Sequence, residues 1–158
     1  MANLQPTYSQ QLAPGFPGMI ANGEEGNRLS RTVEDAAGLA FGRAAFRGAG
    51  DRGCTATASA TAGAFLGIAI ANLAIQPLQG VVAGAVAADI YPQNSEAGLL
   101  NEGVIWVTAG SNTTQGAAAY VTSAGVFTAT TTSNIAIPAV FDDTVSSGSL
   151  VRLRVRKA

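Results

Sequence analysis

From Ala40 onward glycine cuts the chain into short β-prone runs, and this punctuation limits what it can fold into more than any other feature. The runs are rich in β-branched and aromatic residues and predict strands at Arg43 to Arg47, Phe65 to Ile70, Val104 to Thr108, Ala118 to Thr122, Val126 to Thr130, Ile135 to Val140 and Leu150 to Val155. Strands at such spacing predict an all-β fold, a compact barrel or sandwich. A jelly roll and a tulip-like barrel both fit, because connections are not visible in one sequence. The clearest strand is the last. Its alternation sets Val151, Leu153 and Val155 on one face and Arg152, Arg154 and Arg156 on the other.

The first forty residues read differently. Pro6, Pro14, Pro17, Gly15, Gly18, an Asn22-Gly23 turn and the charged run Glu24-Glu25-Gly26-Asn27-Arg28 leave no room for a helix. Apolar anchors are nevertheless spaced through the segment at Leu4, Tyr8, Leu12, Phe16, Met19 and Ile20. Disordered tails lack such anchors, so residues 1–40 are expected to form an extended N-terminal arm and residues 41–158 a β-rich core domain. Whether the arm packs on its own domain or lies across a partner is open at this level.

Gly53 to Ala88 contains no charged residue. A membrane span is excluded as the reading, because the apolar run from Ala64 to Ile75 is broken by Gln76, Pro77, Gln79 and Gly80, well short of the ~20 residues a helix needs to cross. Val81 to Asp89 fits a short helix, and Thr55 to Ala62 a subunit-facing or loop segment. Only 12% of residues are charged, about half the usual share for a soluble domain. Part of the exterior is therefore expected to be covered by other subunits.

Charge is unevenly placed. Met1 to Arg52 balances five arginines with five acids, Gly53 to Val151 has five acids and no base, and the last seven residues carry four bases. The basic tail is expected to meet acids, either Asp142, Asp143 or Glu102 of its own chain or those of a neighbour. A net charge of −1 argues against binding nucleic acid by phosphate neutralisation.

The chain has no histidine, which removes imidazole catalysis and histidine-ligated metals. The lone Cys54 reads as a structural thiol. Gly48-Ala49-Gly50-Asp51-Arg52-Gly53 satisfies the dinucleotide-binding spacing, but no helix pattern follows and no acid occurs before Asp89, so a hairpin turn is expected. The carboxylates of the β-rich part, Asp89, Glu96, Glu102, Asp142 and Asp143, offer no evident acid–base pair. No enzyme, cofactor or metal is expected. The opening Met1-Ala2-Asn3-Leu4-Gln5-Pro6 lacks a basic region followed by an apolar one, which points to cytoplasmic synthesis.

Several pieces together are similar to one family. Tyr8-Ser9-Gln10-Gln11, Gly15-Phe16-Pro17-Gly18-Met19-Ile20-Ala21, Phe41-Gly42-Arg43-Ala44 with Arg47-Gly48, Phe65-Leu66-Gly67-Ile68 and Gly103-Val104-Ile105-Trp106-Val107 resemble the structural cement, or head decoration, proteins of tailed bacteriophages. The resemblance implies a small β-rich protein, usually a homotrimer, on the outer surface of the head. Made in the host cytoplasm, it would bridge neighbouring major capsid proteins and hold the shell against the pressure of packaged DNA. It implies no nucleic-acid or membrane partner. Candidate capsid or subunit contacts are Tyr8, Phe16, Met19 and Ile20 in the arm, then Arg28, Arg31, Arg152, Arg154 and Arg156, with Phe65 and Trp106 as core or subunit contacts. The alternative is a β-barrel carbohydrate- or receptor-binding module of a virion or surface assembly, for which one tryptophan and three tyrosines are a thin supply of stacking rings.

Overall fold

The computed structural model describes residues 13–61, 63–74 and 89–156. Those residues form eleven strands and no helix: β1 (Asn27–Val33), β2 (Leu39–Ala40), β3 (Ala44–Arg47), β4 (Gly53–Thr55), β5 (Phe65–Ala69), β6 (Ile90–Tyr91), β7 (Glu96–Thr108), β8 (Ala118–Val121), β9 (Phe127–Thr128), β10 (Ile135–Phe141) and β11 (Leu150–Val155). The expected helix at Val81 to Asp89 falls almost wholly outside the described residues.

Nine strands make one sheet in the order β1-β4-β3-β5-β7-β11-β10-β8-β9, and β1 also pairs with β7, which closes the first five into a barrel. Closure satisfies the backbone groups that an open edge would leave exposed. β2 and β6 form a separate two-stranded ribbon. The 13-residue β7 serves both halves. Its Glu96–Glu102 portion pairs with β1, and Leu99 and Leu100 also with β5, whereas Gly103–Thr108 pairs with β11. The change of partner falls at a bulge, where Asn27 faces Glu102 but Arg28 faces Leu100. The extra residue, Asn101, is held by donating its side-chain amide to the Leu66 carbonyl at 2.8 Å. At the far end a bridge from Ala109, the residue after β7, to Phe127 brings β9 back beside it.

Strand alternation fills two cores. Ala44 and Phe46 of β3 join Ile68, Ile105, Val107, Phe127, Phe141, Val151, Leu153 and Val155 in the larger one. Ala45 turns to the smaller, with Val33, Leu39, Phe41, Cys54, Leu66, Tyr91 and Leu99. Fully buried side chains such as Phe46, Phe127 and Phe141 each contribute about 1.5–3 kcal/mol through removal of apolar surface from water. The alternation expected of the last strand is present, with Val151, Leu153 and Val155 buried.

The glycine motif at residues 48–53 is a hairpin turn. Arg47 pairs with Cys54, and the turn closes through Gly48 N–H to the Gly53 carbonyl at 3.1 Å. An anion does sit in it, and it is the chain's own: Glu34 accepts from the amides of Ala49 at 2.7 Å and Gly50 at 2.8 Å. A Cβ at Gly48 or Gly53 would fall 2.2 Å or 1.6 Å from a Glu34 carboxylate oxygen. The glycines are there to admit a carboxylate, not a cofactor phosphate.

Candidate functional site

The arm meets the barrel along the C-terminal half of β7. Gly18 N–H donates to the Trp106 carbonyl and Trp106 N–H to the Met19 carbonyl, both at 2.8 Å, and Ala21 N–H donates to the Val104 carbonyl at 2.9 Å. Ile20 bridges Ile105 in antiparallel register. Gly18 also accepts from Ala71 N–H at 2.8 Å, so the arm is stitched to two parts of the fold. Residues 18–21 thus act as an added strand on their own chain.

Trp106 lies under this arm. A Cβ on Gly15 would come within 2.7 Å of the indole Cδ1, so the Gly15 backbone sits directly against the ring. Arg152, its cross-strand partner on β11, places its guanidinium carbon 5.9 Å from the ring centroid, within reach of a cation–π attraction. Trp106 is therefore half-buried between the arm and the arginine row.

The arginine row is largely neutralised by the chain itself. Arg152 pairs with Asp143 at 2.5 Å, and Arg154 pairs with Asp142 at 2.9 Å and with Glu24. Of the three acids expected to meet the tail, Asp142 and Asp143 do so, while Glu102 faces Asn27 at the bulge. Glu24, which the sequence reading did not name as a partner, ties the arm to β11. The Arg152 guanidinium holds the Asp143 carboxyl below its ordinary value. Arg154 does the same for Glu24. Arg156 is exposed and makes no ion pair among the described residues.

The other candidate contacts are dispersed. Tyr8 lies outside the described residues. Met19 and Ile20 are half-buried against their own chain. Arg28 is exposed on β1, and Arg31 is half-buried with its guanidinium donating to the Ser30 carbonyl at 2.8 Å. Phe65 packs edge-on against Phe46 with ring centroids 5.8 Å apart, a core contact. Phe16 is 40% exposed. It lines a groove of about 380 Å³ with Pro17, Ala40, Phe41, Leu73, Asp89 and Ile90.

Three further acids, unremarked in the sequence as partners, hold local structure. Besides Glu34, Asp35 accepts from the Thr55 hydroxyl at 2.7 Å and the Ala56 amide at 2.5 Å. Glu96 accepts from the hydroxyls of Ser30 and Thr32, both at 2.6 Å, which lowers its pKa. Burial pushes the Cys54 thiol up to about 11, with Asp35 and Glu34 adding to the shift, so it is a weak nucleophile. Among the described residues no group of three or more histidine, cysteine, aspartate or glutamate side chains is placed to hold a metal.

The geometry is that of a small all-β protein with a closed barrel, an arm laid along β7 and one ion pair, Arg154 to Glu24, tying that arm down. The model of a phage family, structural cement protein (E217 gp24/Pam3 gp6), matches residues 4–156, and the chain belongs to that family. Among solved structures, a chain in the capsid of Myoviridae phage XM1 superposes with a TM-score of 0.69 at 19% identity, covering 99% of each chain. The head fiber gp8.5 N base of bacteriophage phi29 aligns with a TM-score of 0.46 at 14% identity, over 84% of this chain and 95% of that one. No curated protein sequence matches. The chain is thus a virion structural protein with a cementing role on the phage capsid.

Proposed function

We propose that this protein adds as a homotrimer to the outer surface of the head, bridges neighbouring major capsid proteins and carries out no catalysis. The match to the structural cement family over residues 4–156 carries this reading. Cementing asks for many modest contacts over a wide area rather than one deep pocket. Three linked copies, each gripping a capsid subunit, gain avidity of about 10²–10⁴ over a single site without any new kind of contact. A clamp across capsomer boundaries then adds its own binding free energy to the work needed to part them against packaged DNA.

The ionic inventory supports a division of labour among the candidate contacts. Arg152 and Arg154 are engaged by Asp143, Asp142 and Glu24, and the Arg154–Glu24 pair ties the arm to β11. Arg28, Arg31 and Arg156 have no carboxylate partner among the described residues and are offered to acids of the capsid. Tyr8 of the arm is offered as a further contact to the shell or an adjacent subunit. The test is the heat release of DNA from filled heads, decorated and undecorated. Decorated heads should release DNA at a higher temperature, and identical release would contradict the cementing role.

A further inference from the structure

Of the chain's asparagines only Asn22 is followed by glycine, and the pair lies in the link between the docked arm and β1. Residues 22–26 of that link are all exposed, and nothing lies within 4 Å of a Cβ built on Gly23. Among the described residues the Gly23 amide donates to no backbone carbonyl. Glu24 N–H donates to Asn22 Oδ1 at 3.4 Å, an Asx turn that folds the side-chain amide back over the peptide carrying the Gly23 nitrogen. Other asparagines are held elsewhere. Asn101 and Asn134 donate their side-chain amides to the Leu66 and Thr130 carbonyls at 2.8 Å and 2.9 Å, and Asn112 accepts from the Ser147 amide at 3.0 Å.

We propose that Asn22 is a site of spontaneous deamidation and that its conversion to isoaspartate loosens the arm. The Gly23 backbone nitrogen, giving its proton to solvent base, forms a bond to the side-chain carbonyl carbon of Asn22. The bond from that carbon to the amide nitrogen breaks, and the nitrogen leaves as ammonia. Water then opens the resulting succinimide. Opening at the side-chain carbonyl gives aspartate; opening at the main-chain carbonyl gives isoaspartate, whose backbone runs through the side-chain methylene. Nothing is oxidised or reduced, and one water enters for each ammonia lost. Glycine at residue 23 leaves the nitrogen uncrowded and lets the backbone turn as ring closure requires. The position decides the consequence. The arm's last bond to β7 is Ala21 N–H to the Val104 carbonyl at 2.9 Å, and its next anchor is Glu24 on Arg154. An extra backbone carbon and a new carboxylate between these two fixed points make one of them give way.

The test incubates the purified full chain in warm, mildly alkaline buffer and follows each asparagine by peptide mass mapping, with an isoaspartyl methyltransferase marking isoaspartate. Asn22 should gain one mass unit more than about tenfold faster than any other asparagine, and Gly23→Ala should slow it by a similar factor. That variant meets no neighbour and no positive φ, so the fold accepts it. As isoaspartate accumulates, the emission of Trp106 under the arm should shift to the red in proportion, while Gly23→Ala incubated alongside keeps its emission. A native Asn22 that stays intact while the same residue converts in denaturant would overturn the site, because the fold would then be protecting it. Conversion that leaves Trp106 emission in place would overturn the coupling to the arm.

Discussion

Gly18→Ala should release the arm. Gly18 has φ +85°, and a Cβ there would lie 2.8 Å from the Ala71 nitrogen, 2.9 Å from the Gly42 nitrogen and 3.0 Å from the Ala69 oxygen. All three are backbone atoms, so no side chain can swing aside. An L-residue in this left-handed region costs roughly 1–2 kcal/mol. The displacement also breaks the bonds Gly18 makes to Trp106 and Ala71, each worth about 0.5–1.5 kcal/mol net. Together these give about 2–5 kcal/mol against the docked arm. If arm and barrel melt as one unit, Tm falls by roughly 5–15 °C. If the arm leaves alone, the fall is capped at its own docking free energy and the signal moves to Trp106, the only tryptophan, whose ring loses the Gly15 backbone. Emission should then shift to the red well below the main melt. Gly23→Ala is the matched control, since nothing lies within 4 Å of its Cβ position. A Gly18→Ala protein with the Tm and emission of the control would refute the docking described for the arm.

Other expectations follow from the buried and bridging groups. Glu34→Ala strips the amides of Ala49 and Gly50 of their acceptor and should cost about 1–2 kcal/mol in denaturant unfolding, with Glu34→Gln recovering part of it. Asp143, Glu24 and Glu96 all have folded-state pKa values below their ordinary 3.8, 4.5 and 4.5. The folded state therefore binds fewer protons, and the stability these groups lend is present above those values and lost as pH falls through the folded ones. Chemical unfolding from about pH 5 down to pH 3 should show that loss, and Asp143→Asn should flatten it. Cys54, buried and with its thiol raised to about 11, should resist iodoacetamide at pH 8 in the native protein and react fully in denaturant.

The parts of the fold legible in the sequence are those where alternation and burial coincide. β11 matches its expected span, and β3, β5, β8 and β10 fall within a residue of theirs, because each sends apolar side chains to a core. β1 was not legible. Its sequence, Asn-Arg-Leu-Ser-Arg-Thr-Val, is mostly polar, and it is a strand because β7 on one edge and β4 on the other accept it. β4 and β6, of three and two residues, are too short to leave a pattern. In β7 the first half hides behind Gly98, Asn101 and Glu102, which belong to the bulge and its approach.

At the site, charge segregation shows that the basic tail needs acids but not whether they are its own or a neighbour's; the fold supplies Asp142 and Asp143 of the same chain. The tie from Glu24 was not legible, because it joins residues 130 positions apart. The cover over Trp106 left no side-chain signal, since glycine backbone supplies it. Glu34 had one: a glycine-rich turn gathers amide donors that call for an anion, and the acids of β1's far end are the near source.

The central claim is that this chain binds a phage shell, and co-sedimentation of the purified protein with undecorated heads tests it most directly. The account predicts saturable binding near one copy per capsid subunit, weakening as salt rises because exposed arginines meet capsid acids. Failure to bind either expanded or unexpanded heads at any salt concentration would contradict it.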